Sequence, residues 1–258
     1  MTLLDNILNK RWLITSVFRS IFDLKTEIKK TKISFAWLII EPLIYLGIFY
    51  GLFHYLYGKS TQVSFFILIA VIAWKWFATS INASSRSIIN SKNLINQIYI
   101  PKYVFPFSCV ITSSIKFTIS LFVFLIISFF LDTSIFFKLH YLIFLIFTQL
   151  MLTLSISLFI AMIGPFFPLV ISVVENLLTI IFFLSGIFYN LNNLPKFIEY
   201  IIICNPMFWV FDSYKNILIN NTNLDYVALF IIQIFSILIT FLSLIFLKKF
   251  DKKYPFLV

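Results

Sequence analysis

The chain has 258 residues, is 61% hydrophobic and only 12% charged, with a mean hydropathy of +1.01. Soluble domains are usually about half apolar and roughly a quarter charged, so a water-soluble globule is excluded and an integral membrane protein is indicated. The net charge of +10 does not mark a nucleic-acid binder: the cations flank apolar runs, where they contact headgroups and set membrane orientation.

Residues 1–34 hold seven cations with Asp5, Asp23 and Glu27, and no apolar block of signal-peptide type. The first span is therefore expected to act as its own insertion signal. Leu4, Ile7, Leu8, Ile14, Val17, Phe18 and Ile21 recur at helical spacing, with Asp5, Asn9, Ser16, Arg19, Ser20 and Asp23 opposite. That period predicts a helix over 1–30 lying in the membrane interface.

About 20 apolar residues cross the hydrocarbon core as a helix. Spans are predicted at 35–57, 63–83, 104–131, 139–163, 171–190 and 225–247. Gly47-x-x-x-Gly51 in the first span would let a second helix approach closely, as at a protomer interface. The connection 84–103 is basic and helix-sized, and no acid lies between Glu41 and Asp132 to answer Arg86, Lys92 and Lys102. Its stripe of Leu94, Ile95 and Ile98 predicts a helix across the membrane base that can be pushed from below. Residues 190–224 hold Leu194-Pro195, an apolar run 197–204, Asn205-Pro206 and Phe208-Trp209. Too apolar for a solvated loop and too broken for a span, this segment predicts external half-helices dipping back into the outer leaflet. The side carrying both termini holds 14 Lys and Arg and the other side four. The positive-inside rule then places both termini in the cytoplasm, so 1–258 reads as one six-span domain.

Catalytic chemistry is missing. There is no GxxxxGK[ST] phosphate loop, the five glycines are scattered, and the ten acids form no pair or cluster for a metal. Cys109 and Cys204 stand too far apart in sequence for a metal-ligand spacing, and His54 and His140 are isolated. No cofactor or metal is expected on this chain. Four ionisable residues fall within spans: Glu41, Lys75, Lys116 and Glu175. Intramembrane charge is costly and marks candidate sites. The two lysines would either attract an anionic cargo in a wet path, or pair with a carboxylate or snorkel. Trp74, Trp76, Tyr189 and Trp209 would either line a glycan path through stacking faces or belong to the interfacial belt.

In order, these pieces resemble the permease subunits of ABC type-2 transporters, in the branch that exports O antigens, capsules and teichoic acids. The first-span pattern stands as Lys29-x-Thr31-x-Ile33-Ser34-x-x-Trp37-x-x-Ile40-x-Pro42, with Ser34 in place of the usual glycine. Then come Trp74-x-Trp76-Phe77, Asn90, Asn93-Leu94-Ile95, Tyr99-Ile100-Pro101-Lys102 and Phe105-Pro106. Leu184-Ser185-Gly186-Ile187-Phe188-Tyr189, Leu194-Pro195, Asn205-Pro206 and Tyr214-Lys215 follow, with Gly186 where Ser-Pro is usual and Lys215 where Arg is common. The family's Arg-Asp pair before the fifth span is replaced by Pro168-Leu169.

The resemblance implies a homodimer of all-α, six-span subunits in the bacterial inner membrane. Two copies of a separate cytoplasmic ATPase would bind ATP and Mg. Arg86, Lys92, Asn93, Leu94, Ile95 and Tyr99 would couple to them, and a lipid-linked glycan would pass, with Trp74, Trp76, Lys75, Lys116, Tyr189 and Trp209 as path residues. The rivals are the same fold exporting a small lipophile, and an ion-coupled secondary transporter. The latter class commonly shows internal repeats, and none is found here.

Overall fold

A computed structural model of the chain describes residues 10–30, 32–52, 61–130, 139–188, 194–220 and 224–257. Among these residues all regular structure is helical: α1 (Lys10–Lys30), α2 (Lys32–Tyr50), α3 (Thr61–Ser87), α4 (Lys92–Gln97), α5 (Val104–Phe130), α6 (Leu139–Ile163), α7 (Leu169–Phe183), α8 (Lys196–Ile203), α9 (Pro206–Lys215), α10 (Tyr226–Lys249) and α11 (Tyr254–Leu257). Four of them, α3, α5, α6 and α10, are long and apolar enough to cross a membrane. The expected first and fifth spans coincide with α2, of 19 residues, and α7, of 15. The fifth is shorter than expected because the chain turns at Gly186, whose φ is +75°. A proline, fixed near φ −65°, cannot occupy this turn. Nor does a larger side chain fit, since an added Cβ would lie 2.9 Å from the Phe208 ring.

The hub of the bundle is α3. Of its most apolar stretch 83% is buried, against 22% in α5 and in α10, which turn most of their surface outward. Ala70 and Ala73, both fully buried, let α5, α6 and α7 close around it. At the end nearest α4 the approach is tightest: a Cβ on Gly164 would meet the Ser85 carbonyl oxygen at 2.8 Å.

In α1 the polar side packs inward. Ser16 and Ser20 are buried and bond their own backbone (Oγ to Trp12 O 3.0 Å, Oγ to Val17 O 2.7 Å), while Phe18 and Phe22 are exposed. Small, internally satisfied hydroxyls let α1 lie close along α5, with Phe18 and Phe22 turned outward.

The segment after α7 forms two short helices. Asn205 joins them: its Oδ1 accepts from Met207 N at 3.0 Å and caps α9, and Pro206 takes the first helical position. Its amide donates to the Leu184 and Ile181 carbonyls (3.2 and 3.4 Å), binding α9 to the end of α7. α9 then enters the bundle. Tyr214 is fully buried and donates to Gln149 Oε1 (3.4 Å), whose amide donates to Ala73 O at 2.8 Å.

Candidate functional site

The basic connection is not one helix. α3 runs on to Ser87, a 3-10 turn covers Ile89–Ser91, and only Lys92–Gln97 is α-helical. Arg86 therefore lies in the last turn of α3, and its guanidinium pairs with Glu175 of α7. Lys102 is also answered from afar: its Nζ lies 3.7 Å from Asp251 Oδ1 and its backbone N–H donates to the same oxygen at 3.2 Å. Of the three loop cations, two thus find acids 89 and 149 positions further along the sequence, which the local charge count could not show.

The short helix α4 sits in an apolar cluster of its own. Ile95, buried, joins Ile88, Tyr103, Phe105, Met162 and Tyr254, with Leu94 and Trp12 packed at the edge. The expected stripe breaks at Ile98. That residue caps α4 in an extended conformation (φ −140°, ψ 149°) and turns outward. Ile98 and Tyr99 are 53% and 68% exposed, and Lys92 and Asn93 are exposed as well. The outer side of α4 and its cap is thus apolar at one end and basic at the other.

α1 holds α4 from one side. Arg19 Nη2 donates to Ser91 Oγ at 2.8 Å, its guanidinium lies 4.6 Å from the Phe105 ring centre, and Trp12 meets Tyr99 edge-on at 6.3 Å. From the other side, burial, Tyr99 and the Asp251 carboxylate together push the Tyr103 phenol up to about 12. It stays neutral across the physiological range.

Deeper in the bundle, Lys75 and Lys116 meet at one level. Each lies twelve residues from the end of its helix nearest α4, about 18 Å at 1.5 Å per residue. Both are paired: Lys75 with Glu41, and Lys116 with Glu27 of α1 at 2.6 Å. Both lysines and Glu41 line a cavity of about 90 Å³ that also takes in Tyr45, Trp76, Thr79 and Ser113. Pro42 leaves one backbone hydrogen bond of α2 unmade beside it. The carboxylates offset the cost of charge in hydrocarbon, so neither lysine is a free anion receptor.

The aromatics divide. Trp74 is buried between Phe77, Phe182 and Phe211, with ring centres 5.4, 5.3 and 6.4 Å away. Trp76 stacks on Phe117 at 4.2 Å and its indole donates to Ser114 Oγ at 3.1 Å. Trp209 is half-buried, donates to Ile203 O at 2.9 Å, and borders an open groove of about 500 Å³ between α9 and α10. Tyr189 lies outside the described residues. Trp74→Ala is expected to cost about 3–5 kcal/mol, the usual range for truncating a buried aromatic, and to lower the amount of folded protein. Trp209→Ala should leave that amount near wild type. Thermal unfolding of the purified variants followed by gel filtration checks the contrast.

Among the described residues no group of His, Cys, Asp and Glu could hold a metal ion. Two kinds of comparison bear on what this bundle is. The family model for ABC-2 type transporters matches residues 23–219. The O-antigen export system permease protein RfbA of Myxococcus xanthus is 25% identical over 200 residues, 76% of each chain. A protein of the same description from Klebsiella pneumoniae is 25% identical over 229 residues, 88% of each chain. The polysialic acid transport protein KpsM of Escherichia coli is 25% identical over 221 residues, covering 81% of this chain and 84% of the relative. An all-helical bundle with long apolar helices, matched by the family model from α1 through α9, therefore belongs to the ABC-2 type transporter family.

Proposed function

We propose that this chain is the transmembrane subunit of an ATP-driven exporter that moves a lipid-linked polysaccharide, O antigen foremost, across the bacterial inner membrane. The observation that carries the reading is the seated α4, with Ile98 and Tyr99 exposed beside it, in a chain similar to O-antigen permeases. A separate ATPase, bearing ATP and Mg, would press on this helix. The load would pass through Arg86–Glu175 to α7 and through Arg19–Ser91 to α1. The likeness to the polysialic acid transporter keeps capsule export as the second reading.

Two copies would make the conduit. Gly47 and Gly51 have nothing within 4 Å of an added Cβ, and Leu43, Ile44 and Ile48 beside them are exposed. This side of α2 suits a second copy of the chain. Six spans with both termini in the cytoplasm complete the arrangement, with α8 and α9 at the outer mouth. An ion-coupled mechanism is less well supported, because Lys75, Lys116, Glu41 and Glu175 all stand in ion pairs.

The purified chain alone is expected to hydrolyse no ATP, and a complex with its ATPase to hydrolyse it steadily. Hydrolysis by the lone, clean chain would overturn the assignment. In cells, deleting the chain should abolish surface glycan while the glycan accumulates inside, and restoring it should return display. Surface glycan unchanged by the deletion would sink the cargo assignment.

A further inference from the structure

The chain end beyond α10 is tied to the lever more firmly than a loose tail requires. Asp251, 9% exposed, accepts the Lys102 backbone N–H and faces its ammonium, which itself is 2% exposed and donates to Ile100 O at 3.1 Å. Three residues on, Tyr254 is fully buried and donates to Met162 O at 3.0 Å, its ring meeting Phe166 edge-on at 5.4 Å. This segment thus grips the connection between α4 and α5 at Lys102 with Asp251, and the end of α6 with Tyr254. A buried ammonium with one carboxylate is costly to separate, so this junction moves as one piece.

What the junction presents outward is different in kind. Lys252 and Lys253 are exposed, and Phe256 is 90% exposed on a short terminal helix. A groove of about 350 Å³ runs between the tail and the lever, lined by Gln97, Ile98, Tyr99, Lys252 and Pro255. Its walls continue the exposed Ile98–Tyr99 surface, Lys252 lines it, and Lys253 is exposed on the next residue.

We propose that residues 252–256 and the Ile98–Tyr99 end of the lever form one composite docking surface for the partner ATPase. The proposal rests on the exporter reading above. The matching face of the ATPase carries an apolar cleft for Phe256 and acidic groups around it, since opposite charges at a rim steer association and fix register. Force arriving at α4 enters α10 and the end of α6 at the same time, because Asp251 and Tyr254 bind all three together.

The full-length chain, tagged and co-expressed with its ATPase, is given p-benzoylphenylalanine in place of Phe256 and irradiated in native membranes. A crosslink to the ATPase is expected; crosslinks confined to lipid or to a second copy of the chain overturn the proposal. In parallel, Lys252→Glu, Lys253→Glu and Phe256→Ser are combined, all at exposed positions. The combination is expected to lower the ATPase that co-purifies at least tenfold, at wild-type membrane level. Lys196→Glu on exposed α8 serves as control and should change nothing. Equal co-purification by wild type and the triple variant overturns the surface alone. No ATPase with the wild type overturns the exporter reading and the surface with it.

Discussion

Replacing Glu41 by alanine is expected to destabilise the bundle by about 2.5–3.5 kcal/mol, the insertion cost of an unanswered lysine near the centre of a membrane helix. Lys75 would lose its carboxylate and have to bend toward the headgroups, breaking the contact between α2 and α3 beside Pro42. The expected observation is a fall in folded protein extracted from membranes, and a lower unfolding temperature. Lys75→Ala removes the other partner of the pair and should lower the amount of folded protein as well. Exchanging the two, Glu41→Lys with Lys75→Glu, should recover most of the loss. A double exchange as poor as Glu41→Ala would show that the pair matters for shape and not for charge.

The second large effect is expected at Ile95. It is 6% exposed in the apolar cluster under α4, and an aspartate there would place an unpaired carboxylate where several kcal/mol are needed to bury it. The short helix should leave its seat while the spans, held by the separate core around α3, persist. ATP hydrolysis by the assembled complex should then run without glycan export. Leu94 is a weaker target than Ile95, because it lies in the first turn of α4, where even a proline is tolerated. Normal export by Ile95→Asp at wild-type protein level would remove α4 from the coupling path.

How much of this was legible in the sequence follows from the range of each signal. Apolar runs are local, so the helices from 61 to 163 fall within a few residues of expectation. Proline and asparagine punctuation is local too, and Asn205-Pro206 does separate α8 from α9. The ion pairs are not local. Arg86 and Glu175, Lys116 and Glu27, and Lys102 and Asp251 join residues 89 to 149 positions apart. Nothing in a charge count names such partners. The break in the connection was also hidden, since Ile88 and Ile98 extend the apolar period of α4 although one belongs to the preceding turn and the other to an extended cap. Trp74 and Trp76 were indistinguishable by spacing from path-lining rings. Only the packing of Phe182, Phe211 and Phe117 shows that their faces are already covered.

The shortness of α7 has a consequence for the cargo. Fifteen residues reach about 22 Å, whereas the hydrocarbon layer is about 30 Å thick. With α7 as the fifth span, roughly 8 Å of that layer has no wall from it on one side. That gap is bridged by α8 and α9, whose Asn205 grips the end of α7 through two carbonyls. A hydrophilic chain leaving between two copies would meet a thinned oily layer on this flank, and the last stretch of its crossing would run past half-helices rich in backbone termini. The electrostatic toll of leaving water is steepest in the middle of a thick slab and falls as the slab narrows. Under the exporter reading proposed above, a truncated helix at the rim would lower the barrier for passage without any side chain having to bind the sugar.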